Sequence, residues 1–168
     1  VKASQVVAAP PSAGSVLLAQ LPGADFVHAC RATTRRDGRS ALQAYRDMAA
    51  TIPAWFDGMM ALRNHGMRLL GMKHLGSLRA VQDIERPHPG QRLGIFTLQA
   101  LEDDAIVLED DDRHLRVQLA VQWQGDVLEV ATVVHTHNAF GRVYMLPVAP
   151  VHRLIVPHLL KKQVQLYR

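Results

Sequence analysis

Any chemistry in this chain has to start from its histidines. His135 and His137 form an HxH pair, and His114 stands at the head of the alternating segment that leads toward them. Three imidazoles with an HxH pair are a donor set that a catalytic zinc can use, with a fourth position left open. The sequence assigns no carboxylate to orient the rings and places Arg116 among them. The competing reading is therefore a surface histidine cluster beside a cation, and no metal is expected. A second group follows in Arg142, Tyr144 and His152. Together with His135 and His137 it supplies what a small cyclase, hydrolase or isomerase needs. An imidazole would serve as general acid or base, a guanidinium would hold an anionic group, and a phenol would donate a hydrogen bond. The structural alternative is that Arg142 and His152 tie the last strand to the closing helix, because buried polar groups need partners. No nucleophile motif decides between these readings, since such constellations are recognised by geometry.

The elements that must position these groups can be read from periodicity. In LRVQLAVQWQ, residues Leu115, Val117, Leu119, Val121 and Trp123 alternate with polar residues or alanine, as in a strand with one buried and one wet face. With Gly125 and Asp126 as the turn, Trp123 lies opposite Leu128, Val117 opposite Val134 and Leu115 opposite Thr136. A one-residue slip would exchange the faces of the whole strand. This register puts His135 opposite Arg116 and His137 opposite His114, so the three histidines converge at one end of the hairpin. The next residues, Asn138 to Gly141, read as a bend. A closing helix is expected from Pro150, with Val151, Leu154, Ile155, His158 and Leu159 along one face and a kink at Pro157.

Upstream, residues 25–34 read as a first strand containing Cys30 as a small core residue. Ser40 is placed to cap a helix through Tyr45 and Met48, and Pro53 to open a second helix running to about Leu70. That second helix has a wide apolar arc including Trp55, Met59, Met60 and Leu62, and four of the six methionines fall between Met59 and Met72. Methionine adapts equally to an irregular core and to a variable ligand, so the arc is read either as core packing or as a ligand-contacting wall. Leu93 to Leu101 and Ala105 to Glu109 read as a further strand pair. The run Asp110, Asp111 and Asp112 lacks the glycine and glutamate offsets of a calcium loop and reads as a solvated turn.

Composition narrows the classes. With 168 residues the chain suits one domain, expected over residues 23–168 behind an irregular lead-in over residues 1–22. A single cysteine forms no intrachain disulfide and suits a reducing, cytoplasmic setting. The net charge of +4 is scattered, and no zinc-finger, RNA-recognition or helix-turn-helix pattern accompanies it, so nucleic acid is not expected as a partner. No apolar run approaches the ~20 residues of a membrane span.

The order strand, two helices, antiparallel strands and a long C-terminal helix resembles the α+β helix-grip fold, also called START or Bet v 1-like (SRPBCC), in which a curved sheet wraps the last helix. HTHNAFGRVYMLPVAPVHRLIV, and within it Gly141, Arg142, Tyr144, Pro150, His152 and Arg153, also resembles the signature of a bacterial domain family of unknown function (DUF). That family occurs alone or behind NAD(P)-binding, epimerase-like domains of the short-chain dehydrogenase type. GADFVHACRA, ALRNHGMRLLGMK and DDRHLRVQLAV resemble the same family. A glycine-rich dinucleotide fingerprint is absent, and no cofactor is expected. The helix-grip resemblance implies a pocket for a small apolar or amphipathic ligand, with Trp55, Met59, Met60, Trp123 and Leu154 as candidate lining residues. Three functions stay open: a binding domain, a small enzyme using the His/Arg/Tyr cluster, and an interaction module for a dehydrogenase-like protein.

Overall fold

The computed structural model describes residues 5–70 and 77–167. Its framework is one curved antiparallel sheet of seven strands in the order β1-β2-β7-β6-β5-β4-β3. The strands are β1 (Val6–Ala8), β2 (Phe26–Thr33), β3 (Arg92–Leu93), β4 (Phe96–Leu101), β5 (Ala105–Asp111), β6 (Leu115–Gln124) and β7 (Val127–Thr136). Helices α1 (Ala41–Ala50) and α2 (Ala54–Leu69) lie between β2 and β3, and α3 (Ala139–Leu166) closes the chain. The β6–β7 hairpin has the register its alternation requires, with Trp123 paired to Leu128, Val117 to Val134 and Leu115 to Thr136. Cys30 is fully buried in the core, and the Ser40 hydroxyl caps α1 by accepting the amide of Gln43 at 3.1 Å.

The sheet is covered on both faces. Inside, the core joins Tyr45, Met48, Leu108, Val121, Trp123 and Leu160, with Tyr167 stacked on Trp123 at 6.2 Å. The outer face was expected to be wet, and here the structure differs. Leu17 packs on Ala29, Ala120, Ala131 and Val133 as the lead-in folds back across the sheet. Amides of Ser12 and Val16 donate to Glu129 (3.0 Å) and Gln122 (3.0 Å), and Gln122 donates to the Gly14 carbonyl (3.0 Å). Alanines at 29, 120 and 131 leave room for this strap, while the glutamine and glutamate side chains satisfy its backbone, as burial requires. Residues 6–8 of the lead-in add an edge strand to β2.

Two further boundaries differ from expectation. The strand foreseen over Leu93–Leu101 is broken by a turn at Gly94 (φ 66°), where a Cβ would meet the Ser77 carbonyl oxygen at 2.3 Å. The closing helix starts eleven residues before Pro150. Asn138, expected in a bend, is its N-cap and accepts the Gly141 amide at 3.0 Å. Gly141 is required there, because a Cβ would lie 2.2 Å from the His114 carbonyl oxygen. Pro147, Pro150 and Pro157 lie inside α3. They remove the donors that would reach the carbonyls of Val143, Leu146 and Arg153. Those three residues are exposed, on the side of α3 away from the core.

By length and composition α3 is long and apolar enough to cross a membrane, contrary to the expectation that no apolar run approaches a span. One such helix is a weak indication; Met145, Ile155, Leu160 and Val164 of it are buried, although most of its apolar window is not.

Candidate functional site

Between the inner face of the sheet, the first half of α3 and α2 lies a hollow of about 620 Å³. Its floor is the apolar face of the central hairpin, with Val117, Leu119 and Val130, and Tyr144 and Val148 of α3 form one side. The roof is α2. Met59, Arg63 and Met67 recur at intervals of four, which aligns them along one stripe of the helix, and all three border the hollow. Exposed wall members, among them Leu62 and Pro147, place the opening between α2 and the first turns of α3.

Besides Asp110, Asp111, Asp112 and His114 at its border, two polar groupings enter this apolar space. Deep in the wall, His152 Nε2 lies 3.0 Å from the Thr132 hydroxyl and its Nδ1 lies 3.1 Å from Nδ1 of His28. His28 Nε2 is in turn 3.6 Å from the Cys30 sulfur, and Phe26 meets the His152 ring edge-on at 5.5 Å. Burial drives the His152 pKa down to about 3, with the charges of His28 and Arg153 acting in the same direction. Burial likewise lowers the pKa of His28 and pushes the Cys30 thiol up to about 11. At neutral pH the chain Cys30, His28, His152, Thr132 is therefore uncharged, with one imidazole donating to the other. Near the opening, Arg63 Nε donates to the Tyr144 hydroxyl at 2.6 Å and a terminal nitrogen donates to Asn64 Oδ1 at 2.9 Å.

The five candidates for catalysis do not meet at one point. His135 is bonded toward the Pro22 carbonyl (3.2 Å) and His137 to Asp111 (2.9 Å) at the border of the hollow, and neither histidine lines it. Arg142 is exposed beside Asp25, whose pKa is lowered chiefly by the Thr136 amide and only in lesser part by Arg142. Tyr144 belongs to the opening and His152 to the deep wall. His152 does link the closing helix to the sheet, through β2 and β7, whereas Arg142 has no such role. The proposed convergence of His114, His135 and His137 is absent, since His114 turns to Asn138 and packs on Phe140 at 4.5 Å. Among the described residues no group of His, Cys, Asp and Glu side chains could hold a metal ion.

Of the candidate lining residues, Met59 and Met60 border the hollow. Trp55 and Leu154 do not: they are 47% and 66% exposed because they fall on the outward sides of α2 and α3. Trp123 is buried at the filled end of the core against Tyr167. Met72 lies outside the described residues. Sequence reading missed Arg63, His28 and Thr132. Each had a signal: Arg63 interrupts a methionine stripe at helical spacing, His28 alternates with Phe26 and Cys30, and Thr132 pairs with Leu119 on the apolar face.

Fold and site define an α+β protein with one curved sheet, helices on its inner face and a largely apolar hollow beneath the second helix. A family model described as "Protein of unknown function (DUF2867)" matches residues 20–159, and the chain belongs to that family. No curated protein and no solved structure matches it.

Proposed function

We propose that this chain is a single-domain helix-grip protein of the START/Bet v 1-like kind that binds a small apolar or amphipathic ligand in the hollow under α2. The observation that carries the reading is the hollow itself: about 620 Å³, walled mainly by aliphatic and methionine side chains and roofed by a helix that does not fill it. That volume falls in the ordinary range for small-molecule sites. The helix-grip assignment is supported by the element order and by the pairing of β2 with β7, which brings the first long strand beside the last under α3. Binding is favoured over catalysis because the groups available for proton transfer are poorly matched to neutral pH. A conjugate acid near pKa 3 makes His152 a feeble base, and a thiol near 11 makes Cys30 an inert one.

The test is titration of the purified chain with the neutral fluorophore N-phenyl-1-naphthylamine, alongside native mass spectrometry. Saturable one-to-one uptake is expected. Val117→Trp, which places an indole on the floor of the hollow, should abolish uptake while leaving the far-ultraviolet circular dichroism unchanged. A folded wild-type chain that takes up no probe would refute the reading.

A further inference from the structure

We propose that the ligand is an acid, an amphipathic carboxylate whose head group is held at the opening by Arg63 and Tyr144 while its apolar body fills the hollow. This inference rests on the binding reading and adds the chemistry of the ligand's polar end.

The argument starts from where α2 spends its one inward cation. Met59, Arg63 and Met67 lie on a single stripe, so the helix geometry that turns two methionines to the hollow turns the arginine there as well. A guanidinium has five N–H donors and no acceptor. Two of its groups are engaged, Nε with Tyr144 and a terminal nitrogen with Asn64, both neutral oxygens. Among the described residues no carboxylate lies within ion-pair distance of Arg63. Its charge meets, among those residues, only the Tyr144 ring, whose centroid is 5.4 Å from Cζ, and a counter-charge beside this apolar surface is worth more than in water.

The carboxylates that also border the hollow are committed elsewhere. Asp110 lies 3.8 Å from Arg92, and Asp111 is 2.9 Å from His137. Asp112 accepts the backbone amides of His114 (2.6 Å) and Leu115 (3.0 Å). Among the described residues none of the three pairs with Arg63, and each already has a partner of its own.

Tyr144 completes the arrangement. Its oxygen accepts from Arg63, so its own proton remains to be given, and no acceptor takes it among the described residues. Arg63 and Tyr144 therefore present one charged and one neutral donor side by side, which suits the two oxygens of a carboxylate. Because Arg63 belongs to α2 and Tyr144 to α3, a bound carboxylate would also tie the roof to the closing helix. An alcohol would offer the two donors only a neutral oxygen, and an ammonium would be repelled by Arg63.

The experiment compares dodecanoate, 1-dodecanol and dodecylamine, one chain length with three head groups, by displacement of N-phenyl-1-naphthylamine from the full chain at pH 7.5. Dodecanoate is expected to bind about tenfold or more tightly than dodecanol, the ratio that one charge-assisted hydrogen bond supplies. Arg63→Gln should remove that preference while dodecanol affinity stays within about twofold, and Arg63→Lys should keep part of it. Equal binding of the three, or a preference that survives Arg63→Gln in a folded variant, would overturn the acid assignment alone. Probe uptake by the protein with no displacement by any of the three would also overturn it. Failure of the probe itself to bind would instead sink the binding reading on which this one stands.

Discussion

Helices α1 and α2 follow one another across three residues and are both apolar on one side, yet they meet the sheet in opposite ways. In α1 five of ten residues are buried, and three of these are alanines (Ala41, Ala44 and Ala49), which let its backbone approach closely. In α2 only Asn64 of sixteen residues is buried, while Leu62 and Leu69 are 72% and 76% exposed. The first helix is held in the core with Leu160, and its Tyr45 and Met48, though they reach the hollow's edge, are buried; the second stands over the hollow and reaches the rest of the molecule through longer, flexible side chains. The contrast shows that an apolar stripe marks the side a helix turns inward without fixing its distance from what it faces. Small residues set a short distance, and methionines and arginine allow a long one.

The largest effects should separate a residue packed in that shared core from one in the roof. Leu160→Ala removes a fully buried side chain where α3 meets the core and should cost about 2–5 kcal/mol. Met59→Ala, half-exposed and already beside a hollow, should cost under about 1 kcal/mol because it opens little new cavity. Urea denaturation of both variants measures the difference. Comparable losses would mean that α2 is packed as tightly as α1 and α3.

A graded effect comes from the deep wall. The pKa of His152 in the folded chain, about 3, lies below its ordinary value of 6.5. Above 6.5 neither state holds the proton and the contribution to stability is complete. As pH falls from 6.5 toward 3 the unfolded chain takes up a proton that the folded chain refuses, so stability is lost across that window. A single group gives a slope of at most about 1.4 kcal/mol per pH unit. His28, whose pKa is lowered in the same direction, adds to it, and Arg153 opposes protonation of both rings. Subtracting the pH profile of His152→Gln from that of the wild type isolates the contribution. A difference that stays flat between pH 6.5 and 4 would show that the imidazole is not buried neutral.

How far these regions could be read from sequence follows from the same physics. The register of the central hairpin was legible to the residue, because alternation and a two-residue turn leave one register that puts Val117, Leu119, Val121 and Trp123 on one face. The start of α3 is hard to read because three prolines argue against a helix, and sequence does not show that the residues whose carbonyls they free are all exposed. The strap over the outer face was not legible either. Its glutamines and glutamate look like a solvated face until Ser12, Gly14 and Val16 are found bonded to them. At the candidate site, Met59 and Met60 were legible from the methionine stripe. Trp55 and Leu154 belong to wide apolar helix arcs and Trp123 to the apolar face of β6, and an apolar face does not say which of its members reaches the hollow.

The smallest effect is the sharpest test of whether α2 is an independent roof. A Cβ at Gly58, within α2, would meet nothing within 4 Å, unlike the crowded Gly141 of α3. Gly58→Ala should therefore gain the helix propensity of alanine, about 0.5–1 kcal/mol, with no steric penalty. Where that gain appears depends on how α2 is held. If the roof opens without the core, amides of α2 exchange through local unfolding, and Gly58→Ala slows their hydrogen exchange severalfold. The exchange of β6 and β7 amides, which require global unfolding, should change less. A gain shared equally by α2 and the central hairpin would mean that the two unfold as one unit, and the contrast between α1 and α2 would then be one of packing without a corresponding difference in motion.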